Sequence, residues 1–391
     1  MTRHLLVTND FPPKIGGIQN YLWELWRRLP ADDFVVYTTP YRQMAEFDAQ
    51  QGFRIERSPE PVLGPYPWLV RRINRLAHGF GAELVLLDPA VPLGAIGPYL
   101  DYPYGVVLHG AEVTIPGRLP GIRSVLARVL RKASLVVSAG AYALSEAERC
   151  AQRSLPAVVV PPGVDINRFH PYSSGQREAA RQRLGVGEQD FLVATVNRLV
   201  PRKGMDTLVR AAAIAGVELA RRQASRRLVV RIGGSGRHEP VLRQLVAQTG
   251  APAELLGRID DEAVADLYGA ADAMAMLCYD RWFGLEQEGF GIAFLEAAAA
   301  GVPQVAGRSG GAHEAVIDEV TGQILSDPRD HQALADILVG WSENPTLVTR
   351  LGEAARKRAE TEFSYEVLAA RLQQALADWG DASGASPGTR R

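Results

Sequence analysis

The sequence predicts an α/β protein made of two doubly wound, parallel-sheet domains. Short apolar, β-branched segments alternate with longer amphipathic ones, which is the pattern of buried parallel strands covered by helices on both faces. The series runs once through residues 4–163 and begins again at residue 191. The two series are separated by residues 161–176, which are rich in Pro, Gly and Ser. A chain of 391 residues is also too long for one ordinary core.

The individual elements follow from this alternation. Buried strands are predicted at 4–9, 34–39, 83–88, 104–110, 135–140, 157–163, 191–198, 228–234, 253–258, 273–278 and 302–307. Helices are predicted at 17–29, 67–79, 121–132, 141–150, 204–222, 237–249, 261–270 and 291–300. We place the N-terminal domain at 1–165 and the C-terminal domain at 171–362. Residues 380–391 are poor in apolar side chains and are predicted to be a disordered tail.

Composition excludes several classes of function. The chain is 47% hydrophobic and 22% charged, with a formal net charge of −1, so no overall field indicates nucleic-acid binding. Its two cysteines, Cys150 and Cys278, match no metal or redox spacing, which favours a reduced cytosolic setting. No apolar run reaches the roughly 18 residues of a membrane-spanning helix, and the first residues, MTRHLLVTNDFPP, do not form a signal peptide.

Open α/β sheets bind ligands beyond the carboxyl ends of their strands, so the residues that follow each strand are the first candidates. In this sequence these residues belong to both predicted domains, and we expect a ligand in the cleft between the domains. The stretches concerned are 9–17, 109–110, 198–203, 233–234, 258–259 and 284–291.

Arg198 and Lys203, in NRLVPRKG, follow a predicted strand and precede a predicted helix. Two cations at a helix N-terminus form an anion site, because the free backbone amides add partial positive charge. An isolated pair of this kind is more often a solvated surface pair. The position directly after a buried strand, beside Pro201 and Gly204, favours the anion site, with a spacing that lets both cations reach one diphosphate.

Gly16 and Gly17 follow the first strand and begin a helix, where glycine lets the backbone approach a phosphate closely. A simple turn explains a lone Gly pair equally well. No GxGxxG occurs in this loop and no GxxxxGK[ST] occurs in the chain, which argues against nicotinamide and P-loop nucleotide binding.

Glu288 and Glu296 lie eight positions apart in EGFGIAFLE. Gly289, Phe290 and Gly291 can present free amides at a helix start, beside the Glu288 carboxylate. Eight helical residues span about 12 Å, roughly the distance from the sugar of a nucleotide-sugar to its ribose. Glu296 has apolar neighbours on both sides, so a plain solvent-facing helix position does not explain it.

His109 ends a strand in VVLHGAEV, where a lone histidine is more often structural, but the following Gly and the expected position at the ligand favour a functional role. The chain has no D-x-D, the usual metal clamp for a diphosphate, and two cations are already available for the phosphates. We therefore expect no metal ion and no other cofactor.

These motifs resemble those of the retaining family 4 glycosyltransferases, which have the GT-B fold. The resemblance extends from Leu5 to about Trp379, and the E-x7-E of residues 288–296 is its most specific element. Three further stretches are similar to the actinobacterial GDP-mannose-dependent phosphatidylinositol mannosyltransferases: TNDFPPKIGGIQNYL, NRLVPRKGMDTLV and GVPQVAGRSGGAHEAV. The sequence departs from that pattern at Asn197, at His313 and in Gly110-Ala111-Glu112.

The resemblance implies a role for each candidate residue. Gly16 and Gly17 would contact the donor phosphate, and Arg198 and Lys203 the diphosphate. Glu288 would hold the hydroxyls of the transferred sugar, with the amides of residues 289–291 beside it. Further donor contacts would come from Glu296 to the ribose, His109 to the sugar near its C6 hydroxyl, Arg258 and Ile259 to the base, and Gly233 beside them. A final helix at about 363–379 would pack back on the first domain.

The implied donor is GDP-mannose, and the implied acceptor is a glycolipid of the phosphatidylinositol mannoside type. Two basic stretches without acidic residues, 61–80 and 115–134, interleave cations with apolar side chains, which is typical of peripheral binding to an anionic membrane. Ordinary solvated helix faces are the alternative. The chain would then lie on the cytoplasmic face of the plasma membrane. The cations singled out are Arg71, Arg72, Arg75, Arg123, Arg128 and Arg131.

Three other functions stay open from the sequence. A family 4 transferase can use a different sugar nucleotide or acceptor. A GT-B epimerase or phosphorylase shares the fold, and release of free hexose or epimer without acceptor would indicate it. A non-catalytic sugar-nucleotide sensor is the third, although Glu288 and Lys203 are both present. Donor base, acceptor, linkage and oligomeric state are not fixed by these motifs.

Overall fold

The chain forms two compact units in a computed structural model that describes residues 2–282 and 286–384. One unit contains the residues up to Pro162 and those from Tyr365 onward, and the other is Gly163–Ser364. The division lies within the predicted Pro- and Gly-rich segment. Residues 163–170 belong to the second unit, although we predicted that 163–165 end the first domain; Phe169 is buried in the second unit's core.

The first unit contains a seven-stranded parallel sheet in the order β3-β2-β1-β4-β5-β6-β7. Five of its strands, β1, β2, β4, β5 and β6, are buried along their whole length, as expected for a parallel sheet covered on both faces. The strands are β1 (His4–Thr8), β2 (Phe34–Thr38), β3 (Arg54–Arg57), β4 (Leu84–Asp88), β5 (Tyr104–Leu108), β6 (Leu135–Ser138) and β7 (Ala157–Val159). The helices are α1 (Gly17–Trp26), α2 (Met44–Ala49), α3 (Pro67–Phe80), α4 (Ala111–Arg118), α5 (Ile122–Lys132) and α6 (Ala141–Ala151), with 3₁₀ turns at Ala31–Asp33 and Leu93–Tyr99.

The second unit contains a six-stranded parallel sheet in the order β10-β9-β8-β11-β12-β13. The strands are β8 (Asp190–Val196), β9 (Arg227–Gly233), β10 (Ala253–Gly257), β11 (Ala273–Met276), β12 (Gln304–Gly307) and β13 (Gly322–Leu325). The helices are α7 (Ser174–Arg183), α8 (Met205–Arg221), α9 (Glu239–Thr249), α10 (Asp261–Ala270), α11 (Ile292–Ala299), α12 (His331–Glu343) and α13 (Pro345–Glu362), with 3₁₀ turns at Pro201–Lys203 and Ala312–Glu314. The predicted α/β class with two doubly wound parallel sheets is confirmed.

The last helix, α14 (Tyr365–Ser383), belongs to the first unit. Leu368, Leu372 and Leu376 are fully buried in the same apolar cluster as Leu22 and Trp26 of α1. Residues 380–383 are helical, which corrects the predicted start of a disordered tail at residue 380; residues 385–391 lie outside the described part of the chain.

Two edge strands and several helices were missing from the sequence prediction. β3 is RIER, half-exposed at one edge of its sheet, and it has no continuous apolar run to reveal it. β13, with the sequence GQIL, lies at an edge of the other sheet. α7 begins inside the predicted linker, where Ser173 and Gln176 form a capping box, a local signal that the prediction missed. The other unpredicted helices are α2, α4, α12 and α13.

Strand order locates the ligand-binding edge of each sheet. In the first unit the order reverses between β1 and β4, and in the second between β8 and β11. At such a switch point the loops that follow the two strands diverge and leave a crevice, which is where open α/β sheets bind ligands. Within the described residues, no helix is both long enough and apolar enough to cross a bilayer.

Candidate active site

The centre of the second unit's candidate site is the carboxylate of Glu288. It lies on the chain that follows β11, and its side chain is only 10% exposed. Lys203 Nζ lies 2.8 Å from its Oε2 atom, and the guanidinium of Arg202 forms an ion pair with the same oxygen. Both cations come from the loop after β8, so the two strands that flank the switch point supply the two sides of this cluster.

The charges around Glu288 fix its ionisation. Burial alone would raise the pKa of Glu288, but the charges and hydrogen bonds of Lys203 and Arg202 outweigh that effect and hold the pKa below its usual value. Glu288 is therefore an anion at neutral pH. Both cations contact Oε2, and Oε1 has no hydrogen-bond partner among the described residues. That oxygen remains available to accept a ligand hydroxyl.

Arg202, rather than Arg198, accompanies Lys203 at Glu288. The sequence predicted a pair of Arg198 and Lys203. Arg198 is exposed and has no ion-pair partner within residues 2–282 and 286–384, whereas Lys203 is buried. Gly204 makes this arrangement possible: it adopts φ +66°, and a Cβ atom there would collide with the Leu277 carbonyl of the β11 loop. Arg202 was missed because the sequence does not show that both cations of the adjacent Arg202-Lys203 pair face inward.

The chain around Glu288 is supported from behind by the loop after β12. Gly311 N donates a hydrogen bond to Glu288 O at 3.0 Å, and Glu288 N donates to the Ser309 hydroxyl at 3.3 Å. A Cβ atom on Gly310 would collide with the same Glu288 carbonyl. Ser309 also donates to Asp280 at 2.7 Å. This support was not predicted from the sequence, although the Gly-Gly pair in RSGGAHE is a signal that could have indicated it.

Residues 289–291 immediately precede α11, and Gly291 is its N-cap at φ +89°. The predicted amides are thus placed at a helix N-terminus. The side chain of Phe290, however, is buried and packs 5.7 Å from the ring of Phe363, so this residue offers a ligand only its backbone. The chain segment just before, residues 283–285, lies outside the described residues, and part of the predicted 284–291 stretch falls there.

Glu296 is half-buried on α11, beside the buried Tyr268. Burial raises the pKa of Glu296 to about 7; Arg168 opposes the shift and Asp261 adds to it. The carboxyl is therefore partly protonated near neutral pH, unlike that of Glu288. A group that accepts hydrogen bonds from ribose hydroxyls in its charged form would gain affinity as the pH rises through this value.

The remaining predicted donor residues collect at the ends of β9 and β10. A Cβ atom on Gly233 would lie 2.7 Å from the side chain of Ile259, so the last residue of β9 and the loop after β10 are in close contact. Arg258 is exposed beside them. Two nearby polar atoms, Asn197 Oδ1 and His238 Nδ1, are buried without a hydrogen-bond partner among the described residues, as is His313 Nδ1 after β12. Buried groups of this kind normally have partners, which a bound ligand can supply.

In the first unit, His109 lies directly after β5 and contacts Asp88 at the end of β4. His109 Nε2 and Asp88 Oδ1 are 2.8 Å apart, and Thr8 Oγ1 donates to the other Asp88 oxygen at 2.6 Å. Because an ionised carboxylate only accepts, Nε2 carries the proton, which leaves Nδ1 for other contacts. The ring of Tyr21 packs edge-on against the imidazole at 5.4 Å. Asp88 was missed because it ends an apolar run that predicted only a strand.

The electrostatics of this pair favour a charged histidine. Burial lowers the pKa of His109, but the charge and hydrogen bond of Asp88, with smaller contributions from Glu112 and Asp10, outweigh it, so the pKa is raised. Asp10, in the loop after β1, has a raised pKa because of burial and the nearby Asp88 charge, and Gln19 donates to it at 2.6 Å. Gly16 and Gly17 are exposed at the start of α1.

The basic stretches of the first unit divide into engaged and free cations. Arg72 is ion-paired with Glu60 and donates to the Tyr37 hydroxyl at 3.1 Å, and Arg131 donates to the Ala151 carbonyl at 2.9 Å. These two arginines are therefore partly committed to the fold. Within the described ranges the other four predicted cations have no ion-pair partner and are exposed: Arg71, Arg75, Arg123 and Arg128.

The described ranges contain no group of three or more His, Cys, Asp or Glu side chains placed to hold a metal ion. The expectation of a cofactor-free site rests on the sequence and on the cations at Glu288.

Two family models cover most of the chain. The model described as Glycosyltransferase Family 4 matches residues 15–168, and the model described as Glycosyl transferases group 1 matches residues 176–358. The chain belongs to the family 4 glycosyltransferases. The family resemblance predicted from the sequence is thereby confirmed, and the first matched range extends a few residues past the division between the structural units, which lies after Pro162.

Curated relatives match over nearly their whole length. The chain is 35% identical over 382 residues to the GDP-mannose-dependent alpha-(1-6)-phosphatidylinositol monomannoside mannosyltransferase of Mycolicibacterium smegmatis, covering 95% of this chain and 97% of that protein. It is 32% identical to the GDP-mannose-dependent monoacylated alpha-(1-6)-phosphatidylinositol monomannoside mannosyltransferase of Corynebacterium glutamicum, with the same coverage of 95% and 97%. The solved structure of Anabaena HepE in complex with UDP is similar with a TM-score of 0.80 at 22% identity, covering 96% of this chain and all of that one, which supports the fold alone.

The Asp88–His109 pair generates the first prediction. In Asp88→Asn, we expect the pKa of His109 to fall, because burial would then be opposed only by the smaller contributions of Glu112 and Asp10. NMR titration of the seven histidines follows this value directly, with His109→Gln identifying the signal. Asp10→Asn is the matched control and should shift the same signal less. An unchanged His109 pKa in Asp88→Asn would contradict the assignment.

The second prediction concerns Glu296. Its folded-state pKa of about 7 lies above the ordinary 4.5, so the stability it contributes is present below pH 4.5 and is lost as the pH rises to about 7. Glu296→Gln removes this loss. Thermal melting at pH 5 and pH 8 should show the variant gaining stability over the parent at pH 8, by ~1–3 kcal/mol, with a smaller gain at pH 5. A gain that is equal at both pH values would show that Glu296 ionises normally.

Proposed function

We propose that this chain is a retaining mannosyltransferase that transfers mannose from GDP-mannose to a phosphatidylinositol monomannoside-type glycolipid. The observation that carries the proposal is the identity of 35% with an enzyme of that activity over 97% of its length. The cluster of Glu288, Lys203 and Arg202 supports it, because a carboxylate and cations at a topological switch point suit a nucleotide-sugar.

In the proposed mechanism the second unit holds the donor. Glu288 accepts hydroxyl hydrogen bonds from the mannose through its free Oε1, and the amides at the start of α11 lie beside it. Arg198 and Lys203 bind the diphosphate, Glu296 binds the ribose, and Arg258 and Ile259 contact the base with Gly233 behind them. Arg198 is suited to the diphosphate because it is exposed and no carboxylate within the described residues neutralises it.

The chemical step is a front-face substitution at the anomeric carbon. The bond from this carbon to the diphosphate oxygen breaks as the bond to the acceptor hydroxyl oxygen forms on the same face. The departing diphosphate takes the acceptor proton, so no protein nucleophile or base is required. The enzyme contributes positioning and stabilisation of the leaving-group charge by fixed cations. No metal ion is needed in this proposal, because Arg198, Lys203 and the helix N-termini supply positive charge.

In the first unit, we assign the contact with the transferred sugar to the His109 imidazole, which Asp88 keeps protonated on Nε2. Gly16 and Gly17 contact the donor phosphate at the start of α1. The free cations of α3 and α5 bind the anionic lipid surface that presents the acceptor. The protein would thus act peripherally on the cytoplasmic face of the plasma membrane, where a nucleotide-sugar is available.

The decisive experiment is a transfer assay with purified protein in excess chelator. We expect labelled mannolipid from GDP-mannose and phosphatidylinositol monomannoside, with little product from UDP-glucose or ADP-glucose. We expect this donor and acceptor because of the identity with the mycobacterial enzyme, and we expect activity in chelator because of the cation cluster. Faster transfer from another sugar nucleotide would show that GDP-mannose is not the preferred donor. Release of free mannose without lipid product, or activity that magnesium alone restores, would contradict the mechanism.

A second experiment separates the two cations. Arg198→Ala and Lys203→Ala should each slow transfer by roughly 10²–10³, because each removes charge from the departing diphosphate. Only Lys203→Ala should also lower the melting temperature, since Lys203 is buried against Glu288 whereas Arg198 is exposed. Arg210→Ala, an exposed cation of α8, is the control for lost charge and should leave the rate unchanged. Near-normal turnover by Arg198→Ala would show that Arg198 does not bind the diphosphate.

A further inference from the structure

The first unit contains an apolar cavity that the proposed reaction does not use. It lies between α3, the 3₁₀ turn at Leu93–Tyr99 and α5, and has a volume of about 530 Å³. This size is in the range of small-molecule and cofactor sites. Its walls are largely aliphatic and aromatic, formed among others by Tyr66, Val70, Ile96, Pro98, Val125 and Val129.

Two cations complete the lining. Arg71 of α3 and Arg128 of α5 both border the cavity, and Arg128 lies over the ring of Tyr99 at 5.7 Å from its centre. No carboxylate belongs to the lining, all of which lies within the described residues 65–129. Neither arginine has an ion-pair partner among the described residues. An apolar cavity bordered by two unpaired cations matches a ligand with a hydrocarbon tail and an anionic head.

The surface around the cavity is unusually apolar for a protein exterior. Tyr99 and Val125, which both line the cavity, are 62% and 46% exposed. Trp68 is 53% exposed and stacks on Tyr66 of the lining at 4.9 Å, and Ile122 on α5 is 46% exposed. Exposed aromatic side chains next to cations are typical of segments that lie in a membrane interface.

We propose that this cavity binds one phospholipid of an anionic bilayer, with an acyl chain against the apolar walls and the phosphate between Arg71 and Arg128. The site would hold the protein on the membrane in a defined orientation, beyond what diffuse charge attraction provides. This proposal rests on the proposed function, because only a membrane-bound acceptor gives the protein a reason to bind the bilayer. Its test measures lipid binding without sugar transfer, so the two can fail separately.

The same helices supply the matched control. Arg75 of α3 and Arg123 of α5 are exposed and unpaired like Arg71 and Arg128, but they do not line the cavity. A diffuse basic surface would lose the same affinity when any of the four is changed. A discrete site would lose affinity only when Arg71 or Arg128 is changed. Arg72 and Arg131 are unsuitable for this comparison because both are engaged in the fold.

The experiment uses calorimetric titration of the full chain with dihexanoyl phosphatidylglycerol below its micelle concentration. We expect one lipid per chain, and no binding of dihexanoyl phosphatidylcholine at the same concentration. Arg71→Gln and Arg128→Gln should each weaken binding about fivefold, the contribution of one cation at an anionic surface. Arg75→Gln and Arg123→Gln should stay within about twofold of the parent. Equal losses in all four variants would overturn the discrete site.

Filling the cavity tests the acyl chain separately. Ala95 lines the cavity, and Ala95→Phe should abolish binding while keeping every charge. If Ala95→Phe lowers the melting temperature, Val125→Trp replaces it as the test. Val125 lies at the exposed edge of the lining, so the larger side chain narrows the cavity without entering the core. Undiminished binding by Val125→Trp would overturn the proposal. Vesicles of acyl-brominated phosphatidylglycerol should quench the fluorescence of Trp68, so the parent protein should be quenched more than Trp68→Phe. Equal quenching of the two proteins would also contradict the proposal.

Discussion

One buried carboxylate, Glu288, holds the loops of the second unit together. A charge removed from water costs several kcal/mol unless it is paired and hydrogen-bonded. Lys203 and Arg202 meet this requirement from the loop after β8, while Glu288 itself comes from the chain after β11. The loop after β12 then packs against the Glu288 backbone through Gly310 and Gly311. Three strand ends are thus tied to a single ionised group, and the positions of the ligand-facing atoms depend on it.

The same cluster has a charge balance that suits an anionic ligand. One carboxylate faces two cations, and the exposed Arg198 adds a third positive charge nearby in the sequence. The N-terminus of α11 contributes partial positive charge as well. Since both cations contact Oε2, the carboxylate can stay charged while Oε1 accepts a hydroxyl group. Because both cations share one oxygen, Glu288 can stabilise the fold while its second oxygen stays free for the hydroxyl contact proposed above.

The sequence predicted those elements whose burial is visible as a continuous apolar run and those site residues that directly follow such a run. All eleven predicted strands are present, because strands buried on both faces have continuous apolar runs. β3 was missed because it is a half-exposed edge strand with alternating charges. At the site, Glu288 and Lys203 were found through the motif that contains them. Arg202 was missed because only tertiary contacts show that it faces inward together with Lys203. Asp88 was missed because only tertiary contacts show that a carboxylate at a strand end meets a histidine from the next strand.

The two units apply one topology to different chemistry. Each reverses its strand order at one point, and each places a buried carboxylate there, Asp88 in the first unit and Glu288 in the second. Asp88 is shared between Thr8 and His109, so it accepts a hydrogen bond from the protonated Nε2 and favours the charged ring. Glu288 is shared between two cations that contact Oε2, and its Oε1 has no hydrogen-bond partner among the described residues. In the first unit the carboxylate at the switch point therefore acts on a histidine ring. In the second unit the carboxylate is held by two cations through one oxygen and keeps the other oxygen free, so equivalent strand ends place different groups at the ligand-binding edge.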